Sequence, residues 1–244
     1  MPRNGGRTNG RLESYLNQDL REIPTYGISE AAHYLQLPQA TLRSWVVGRL
    51  YPTARGRRVF EPLIDLADKK HHVLSFMNLV EVHVLSAIRR KHKISLPKVR
   101  TALNYLKRHF PSKHPLADQR LETDGLSLFL HKYGRLINLS AEGQLAIREI
   151  MEAHLRRIEW DPSGLPARLY LFTGTSYFDQ PKAVVVDPHI SSGRPVLAGT
   201  GIPTAVIVER YKAGEPIEEI AEDYGRKRSE IEEAIRCEFW LEAA

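Results

Sequence analysis

The chain has 244 residues, of which 42% are hydrophobic, and it contains a single cysteine, Cys237. This length and composition allow a buried core and two or three small domains. One cysteine excludes a disulfide framework and a cysteine-rich zinc site, and it favours a reducing compartment. The polar start lacks the apolar core of a secretory signal and no apolar run is long enough to span a membrane, so we expect a cytoplasmic protein.

The two halves of the chain carry charges of opposite sign. Residues 1–120 contain 21 lysines and arginines against 9 acidic residues, whereas residues 121–244 contain 14 against 20. A basic half favours a polyanionic partner, because cations placed near phosphates release condensed counterions. The acidic half would repel the same partner and is expected to contact something else.

The first organised unit is predicted at residues 23–70, after an irregular stretch at 1–22 that is typical of a flexible arm. In "YGISEAAHYLQLPQATLRSWVVGRLYP", Ser29 is a candidate cap of a short helix that "LQLP" ends, and Leu42 and Trp45 fall at helical spacing in a second helix. The following "YPTARGRRVFEPLI" is typical of a short hairpin with a basic tip. Together these elements outline a winged helix-turn-helix.

This outline identifies candidate DNA-binding residues. The second helix has polar residues outside its apolar set that can bond to base edges or phosphates in the major groove: Gln39, Thr41, Arg43 and Ser44. The hairpin adds cations for the DNA backbone or minor groove: Arg49, Arg55, Arg57 and Arg58. A basic run can also be an ordinary solvated face, but here charge and motif coincide, which favours DNA contact.

A helical and α+β middle region is predicted at residues 71–173, followed by a linker at 174–183. Two amphipathic helices begin after candidate caps Ser75 and Ser95, and another helix follows Ser140. "RLETDGLSLFLHKYGRLINLS" and "LPARLYLFT" have short apolar runs interrupted by glycine, and we predict strands there.

The last unit, residues 184–244, is predicted as a strand in "AVVVDP" followed by three helices. Gly214 and Gly225 mark helix ends, and Ser229 with Glu232 forms a candidate capping box. Its last two helices outline a second helix-turn-helix, but both are rich in glutamate and would repel phosphates. Arg226, Lys227 and Arg228 are expected to balance neighbouring acids, with a phosphate contact as the alternative. The unit is therefore predicted to bind protein.

Little in the sequence supports catalysis or a cofactor. Near Gly199 and Gly201, the third glycine of a dinucleotide fingerprint is replaced by Thr204, and no lysine completes a Walker loop. Both glycines are predicted to supply positive φ in a turn, with nucleotide binding as the weaker alternative. His71 and His72 have only Asp65 and Asp68 nearby, which we place at a helix end rather than in a metal site. We predict no enzyme, no metal and no cofactor.

The residues of the last unit carry a family resemblance. "VVVDPHISSGRPVLAGTGIPTAVIVERYKAGEPIEEIAEDYGRKRSEIEEAI" resembles the domain of unknown function 433 found in VapB-type antitoxins of bacterial toxin–antitoxin pairs. It matches in the Asp-Pro, in G-R-P-V-x-x-G-T, in I-P-T and in I-x-E-I-A-x-D-Y-G. It departs at Gly201, where the family usually has arginine. The N-terminal "YGISEAAHYLQLPQATLRSWV" is similar to the winged helix of MerR-type regulators.

Together the two resemblances imply a dimeric, DNA-binding antitoxin. Such a protein would bind double-stranded operator DNA, neutralise a toxin of the PIN-like ribonuclease class and repress its own operon. The alternative is a MerR-like regulator that responds to a small molecule bound in the middle region and has no toxin partner.

Overall fold

The computed structural model describes residues 18–53, 56–89, 96–122, 124–137, 140–174, 177–178 and 180–239. Within these ranges the chain forms nine α-helices and two small antiparallel sheets, which confirms the predicted mixed α+β class with helix as the larger share. No helix in these ranges is long and apolar enough to cross a membrane. Residues 1–17 of the predicted arm lie outside the described residues.

The elements follow in chain order. The helices are α1 (Ile28–Tyr34), α2 (Gln39–Val46), α3 (Phe76–Arg89), α4 (Leu96–His109), α5 (Asp124–Ile137), α6 (Ala141–Leu155), α7 (Thr204–Lys212), α8 (Ile217–Asp223) and α9 (Arg228–Glu238). The strands are β1 (Arg49–Thr53), β2 (Gly56–Phe60), β3 (Ile158–Trp160), β4 (Pro166–Tyr170), β5 (Val184–Val186) and β6 (Val196–Leu197).

Helix α3 is the centre of the main core. Its described side chains are buried from Phe76 to Ile88, and α6, β4 and a turn at Leu20–Glu22 pack around it. A helix buried on every face is stable only inside a core, and the polar side chains of α3 are hydrogen-bonded there: Asn78, Glu81, His83 and Ser86. Its start confirms the predicted cap, since Ser75 Oγ accepts from the N–H of Asn78 at 3.2 Å. Ser140 caps α6 in the same way, accepting from Gly143 N at 3.2 Å, whereas Ser95 lies outside the described residues.

The strand predicted in "RLETDGLSLFLHKYGRLINLS" is wrong, because this segment contains α5. Its fully buried side chains recur three and four positions apart, which is the period of a helix: Leu126, Phe129, Leu130 and Tyr133. Gly134 permits close packing on α6, since an added Cβ would lie 2.8 Å from Cδ of Gln144. Gly134 is therefore a helix-packing position, whereas Gly125 lies against the carbonyl of Arg120 in the turn before α5.

The second sheet crosses the boundary that the sequence predicts between the middle region and the last unit. Its order is β3-β4-β5-β6, with Leu169 of β4 opposite Val186 of β5 and Val184 opposite Leu197 of β6. The segment 174–183 thus connects two adjacent strands of one sheet, rather than two separable units. Domain boundaries fall where few contacts cross, and backbone pairing crosses here.

Buried Arg157 holds the connection between β4 and β5. Its guanidinium donates to backbone carbonyls on both sides of that connection, those of Tyr170, Leu171, Gln180 and Pro181. Burial lowers the pKa of Arg157 to about 10, which still leaves it charged at neutral pH. A buried charge without a bonded carboxylate is tolerated because the four carbonyl dipoles replace its hydration.

The predicted arm ends before residue 22, because Arg21 and Glu22 contact the folded body. Arg21 Nη1 donates to Asp161 Oδ2 at 2.5 Å, and Glu22 Oε2 accepts from Lys113 Nζ at 2.7 Å. His114 Nε2 lies 3.2 Å from Glu22 Oε1. The sequence pattern did not predict this ordered segment, because the segment is held by ion pairs and has no apolar periodicity.

His114 also reaches a buried carboxyl on α3. Its Nδ1 lies 2.9 Å from Glu81 Oε2, and both side chains are buried. Burial raises the pKa of Glu81. Burial acts to lower the pKa of His114, but its hydrogen bond to Glu81 and the charges of Glu81 and Glu22 outweigh this, so that the pKa is raised. The folded state therefore favours a proton on this pair.

Two predicted helix starts are wrong. Helix α1 begins after Gly27, whose carbonyl accepts from Ala31 N, so Ser29 lies inside the first turn. Helix α9 begins after Lys227, whose N–H donates to Glu230 Oε2 at 2.9 Å, and so Ser229 and Glu232 are not the capping pair. In both cases the turn geometry before the helix, and not the nearest serine, sets the first residue. The ends predicted at Gly214 and Gly225 are confirmed, with φ of +95° and +60°.

Candidate nucleic-acid interface and its acidic counterpart

Helices α1 and α2 form a compact helix-turn-helix. Gln36 has φ of +52°, and Leu37 N donates to Ala32 O at 2.9 Å, which turns the chain before α2 begins after Pro38. Leu42, Trp45 and Val46 are buried, as their spacing predicts. Because these residues fix one face of α2 in the core, the opposite face is directed to solvent.

The four residues predicted for the major groove share α2 but differ in exposure. Gln39 and Arg43 are exposed and stand one helical turn apart, so their side chains lie on one face. Thr41 and Ser44 are half-buried, and Ser44 Oγ donates to Thr41 O at 2.8 Å. The hydroxyl hydrogen of Ser44 is thereby used inside the helix. Gln39 and Arg43 are the two residues best placed to reach a partner.

A two-stranded hairpin follows α2 at the place predicted for the wing. Exposed Arg49 pairs with Phe60, and the backbones of Arg57 and Arg58 pair with Pro52 and Tyr51. Arg55 lies outside the described residues. At the entrance, Gly48 has φ of +85°, and an added Cβ would lie 2.2 Å from the carbonyl oxygen of Phe60. Only glycine fits this position, so the hairpin and its register depend on it.

The hairpin also exposes an apolar pair that sequence reasoning missed. Leu50 and Val59 are direct cross-strand partners, and their exposed fractions are 63% and 66%. Alternation on either side of the basic tip is the signal that predicts this pair, because residues opposite each other share a face. The hairpin therefore exposes an apolar pair as well as the cationic side chain of Arg49.

The hairpin is held against α2 and α4. Leu63 N donates to Trp45 O at 2.7 Å, which fixes the chain after the hairpin to the last turn of α2. Arg100 of α4 donates to the carbonyls of Glu61 and Pro62, and its guanidinium lies 4.7 Å from the ring centroid of Phe60. α2, the hairpin and α4 thus form one connected unit.

Helices α8 and α9 repeat the backbone of α1 and α2. Ile217–Asp223 matches Ile28–Tyr34 in length, and Arg226 N donates to Ala221 O as Leu37 N donates to Ala32 O. Gly225, with φ of +60°, stands where Gln36 stands in the first unit. Helices α2 and α9 each begin two residues after the residue whose N–H donates this hydrogen bond. The molecule therefore contains two helix-turn-helix units, offset by 189 residues (Ile28 to Ile217).

The equivalent surfaces carry opposite charge. The position of Arg43 in α2 corresponds to Glu232 in α9, and Thr41 corresponds to Glu230. Arg228, which corresponds to Gln39, is ion-paired with Glu218 and with Glu232, the latter at 2.8 Å. Arg226 pairs with Glu230 at 2.6 Å, which confirms that these arginines balance neighbouring acids. The described Glu219 and Glu222 of α8 are exposed and in no ion pair.

The acidic unit is joined directly to the basic one. Tyr26 Oη donates to Gly193 O at 2.9 Å, and His33 Nε2 of α1 lies 3.8 Å from Glu238 Oε2 of α9. The carboxylate of Glu238 also accepts from the buried Thr204 hydroxyl at the start of α7. One acid thus links α1, α7 and α9.

The glycine loop forms a turn before α7. Gly199 has φ of +74°, as predicted, but the same prediction is wrong for Gly201, which has an ordinary negative φ. An added Cβ at Gly201 meets nothing within 4 Å. Thr204 N donates to Pro195 O at 3.0 Å, so an amide that a phosphate would need is already used.

The predicted helix end at Asp65 and Asp68 is wrong, because both residues lie in the turns before α3. Asp68 Oδ1 accepts from the N–H groups of Lys70 and His71, and Asp68 pairs by backbone bonds with Val73. Its Oδ2 lies 2.7 Å from His71 Nδ1. Among the described residues, no cluster of three or more histidine, cysteine, aspartate or glutamate side chains is arranged to hold a metal ion.

Comparison with known families assigns a class to each helix-turn-helix region. Residues 24–103 match the family described as "Putative DNA-binding HTH domain", which covers α1, α2, the hairpin, α3 and half of α4. Residues 184–236 match the family described as "Protein of unknown function (DUF433)", which covers β5 to most of α9. The chain therefore combines a helix-turn-helix domain with a DUF433 domain.

Individual relatives span both domains. The chain is 29% identical over 231 residues to "Putative antitoxin VapB45" of Mycobacterium tuberculosis, covering 88% of this chain and 93% of the relative. It is 24% identical over 224 residues to "Uncharacterized protein Rv2308" of the same organism, covering 88% and 89%. The crystal structure of Rv2018 from M. tuberculosis matches with a TM-score of 0.65 and 27% identity, covering 88% of this chain and 98% of that one.

Proposed function

We propose that the protein is a DNA-binding antitoxin of a toxin–antitoxin pair. Its MerR-like winged helix-turn-helix binds operator DNA as a homodimer, and its C-terminal domain binds and neutralises a ribonuclease of the PIN-like class. The complex represses the operon that encodes both proteins.

The observation that carries this proposal is the similarity to the named antitoxin across both domains, 88% of this chain. A DNA-binding domain that had merely been fused to an unrelated partner would match over one domain only. The conserved pairing of both regions supports a single function that uses both surfaces.

The DNA side is supported by the geometry of α2. Gln39 and Arg43 project from one exposed face, and Arg43 forms no ion pair with a described carboxylate. An unpaired arginine on the second helix of a helix-turn-helix is suited to bidentate contact with guanine, and glutamine to adenine. The hairpin arginines are suited to phosphates beside the same groove.

The protein-binding side is supported by the charge of α8 and α9. The arginines of this unit are neutralised by neighbouring glutamates, so that exposed carboxylates such as Glu219 and Glu222 remain. A ribonuclease must attract RNA with a basic cleft, and an acidic surface is complementary to such a cleft. This complementarity favours a nuclease over an acidic partner.

The first test measures DNA binding to the region upstream of the protein's own gene, by fluorescence anisotropy at several salt concentrations. We expect specific binding at least about 1,000-fold tighter than to scrambled DNA. Equal affinity for both duplexes contradicts the operator part of the proposal. Sedimentation on the same duplex counts protomers, and one protomer per site contradicts the dimer.

The second test co-expresses the product of the adjacent reading frame with this protein. We expect co-purification, loss of that product's ribonuclease activity in the complex, and toxicity of the product alone. A product that is harmless alone and does not co-purify favours the second candidate, a MerR-like regulator without a toxin, for which the cavity described next is the supporting observation.

A further inference from the structure

A cavity of about 520 Å³ lies between the end of α2, the segment from Glu61 to His72, and α4. Its apolar lining includes Val47, Leu63 and Leu103, and its rim carries charged side chains from both flanking segments. Natural ligand pockets have volumes of roughly 300–1,000 Å³ and combine an apolar floor with a few polar groups. This cavity falls in that range of volume, its lining is polar and apolar in about equal parts, and it is separate from the face of α2 that bears Gln39 and Arg43.

The rim of the cavity has one more cationic side chain than it has carboxylates. Glu61 pairs with Arg100 at 3.7 Å, and Asp65 pairs with Lys69 at 2.9 Å. Lys107 of α4 also lines the cavity, and among the described residues it pairs with no carboxylate. With two acids and three lysine or arginine side chains, and with His72 counted as uncharged, the lining has a formal charge of +1.

The walls of the cavity are directly connected to the DNA-binding elements. Leu63 N, in the wall, donates to Trp45 O in the last turn of α2. Arg100, on the rim, bonds to the carbonyls of Glu61 and Pro62 and lies over the ring of Phe60, the last residue of β2. A molecule that shifts the backbone at Leu63 or the side chain of Arg100 shifts α2 or the hairpin.

We propose that this cavity binds a small organic monoanion, an apolar carboxylate whose body fills the floor and whose carboxylate pairs with Lys107. The carboxylate supplies the one negative charge that the rim lacks. The apolar body displaces water that contacts Val47, Leu63 and Leu103. Bound ligand alters the position of α2 relative to the hairpin and so changes operator affinity. This last effect rests on the proposed DNA binding, whereas ligand binding itself does not.

The test uses isothermal titration calorimetry on the full chain with two probes, naphthalene-2-carboxylate and decanoate, and with naphthalene-2-carboxamide as the neutral analogue. We expect one site for at least one carboxylate and about tenfold weaker binding of the carboxamide, as for the loss of one charged hydrogen bond. K107Q weakens carboxylate binding about tenfold. The matched control K98Q removes an exposed lysine of the same helix that does not line the cavity, and it leaves binding unchanged.

A second variant tests the cavity without touching its charge. Asn104 lines the rim and is exposed, so N104W covers the cavity without disturbing the core, and it abolishes binding of both carboxylates. Its circular dichroism and melting temperature show whether the fold is retained.

The outcomes separate the two proposals. No heat from either carboxylate up to millimolar concentration, equal affinity for the carboxamide, or equal effects of K107Q and K98Q overturns the ligand site. If K107Q lowers DNA affinity without ligand while K98Q does not, the rim is a phosphate contact and the ligand site is also overturned. Binding of a carboxylate to a chain that fails to bind operator DNA supports the cavity and contradicts the proposed function.

Discussion

The two helix-turn-helix units of this protein share a backbone and differ in charge. Both have a seven-residue first helix, a left-handed residue in the turn and the same closing hydrogen bond, at Leu37 in one unit and Arg226 in the other. The first unit exposes Arg43 and Gln39, whereas the second has Glu232 and an ion-paired Arg228 at the equivalent places. The backbone of a helix-turn-helix therefore does not select its partner. The surface residues of its second helix do so, because a phosphate backbone rejects carboxylates.

The largest expected effect comes from giving the first unit the charge of the second. R43E places a carboxylate where α9 has Glu232, and we expect operator affinity to fall at least about 100-fold, since a base contact is lost and repulsion is added. Fluorescence anisotropy on the upstream duplex measures this. The control R236E makes the same charge change in α9, and it should leave DNA affinity within about twofold. Similar losses for both variants would mean that net charge, not α2, determines binding.

A converse change should affect only the protein partner. E219K with E222K reverses two exposed charges of α8 that form no ion pair with described residues, and we expect affinity for the adjacent gene product to fall about 30-fold. DNA affinity should stay constant or rise slightly. Surface plasmon resonance at two salt concentrations measures the loss, which should shrink at high salt. An unchanged partner affinity would remove α8 from that interface.

The hairpin should contribute through phosphates. Replacement of Arg57 and Arg58 by alanine should reduce operator affinity about tenfold and flatten the log–log salt dependence by about two units if both contact phosphates. A loss of affinity with an unchanged slope would assign these arginines to the stability of the hairpin instead.

A smaller effect is expected from pH. The pKa of His114 is raised in the fold, chiefly by Glu81 against the effect of burial, and burial raises the pKa of Glu81. A group with a raised pKa stabilises the fold below its unfolded pKa and loses that contribution as pH rises through the folded value. We therefore expect the melting temperature to fall by a few degrees between pH 6 and pH 9. E81Q should remove most of this slope, because it removes the buried carboxyl and also the partner that raises the pKa of His114. A melting temperature that rises over this range would contradict the sign.

The smallest effect is expected at Gly201. The position has no positive φ and open space around an added Cβ, so G201R should change the free energy of unfolding by no more than about 0.5 kcal/mol. Urea denaturation measures this. G48A is the contrasting control, because its Cβ would collide with the Phe60 carbonyl, and it should cost about 2 kcal/mol or more. If G201R strengthens partner binding, the arginine usual in the resembled family acts at the interface and not in the fold.

Sequence patterns predicted the elements whose signals are local. The spacing of Leu42, Trp45 and Val46 predicted the buried face of α2, Ser75 and Ser140 predicted two helix starts, and Gly214 and Gly225 predicted two helix ends. Periodicity and capping act over one or two turns, so one sequence contains them in full. The opposite charges of the two units could also be predicted from the sequence, because net charge depends only on composition.

Other features were decided by contacts between residues distant in sequence. The segment before Ser140, predicted as a strand, is helix α5. Its buried residues have helical spacing, and its Gly134 is explained by close packing against Gln144 rather than by a break in a strand. The segment 174–183, predicted as a linker, joins two paired strands of one sheet, β4 and β5. The rim that leaves Lys107 without a carboxylate is assembled from segments about 40 residues apart. The sequence by itself determined which surfaces carry which charge. Only the tertiary structure decided how the second unit is joined to the rest of the chain, through the sheet of β3 to β6 and through Tyr26 and His33, because hydrogen bonds and ion pairs across the chain have no local pattern.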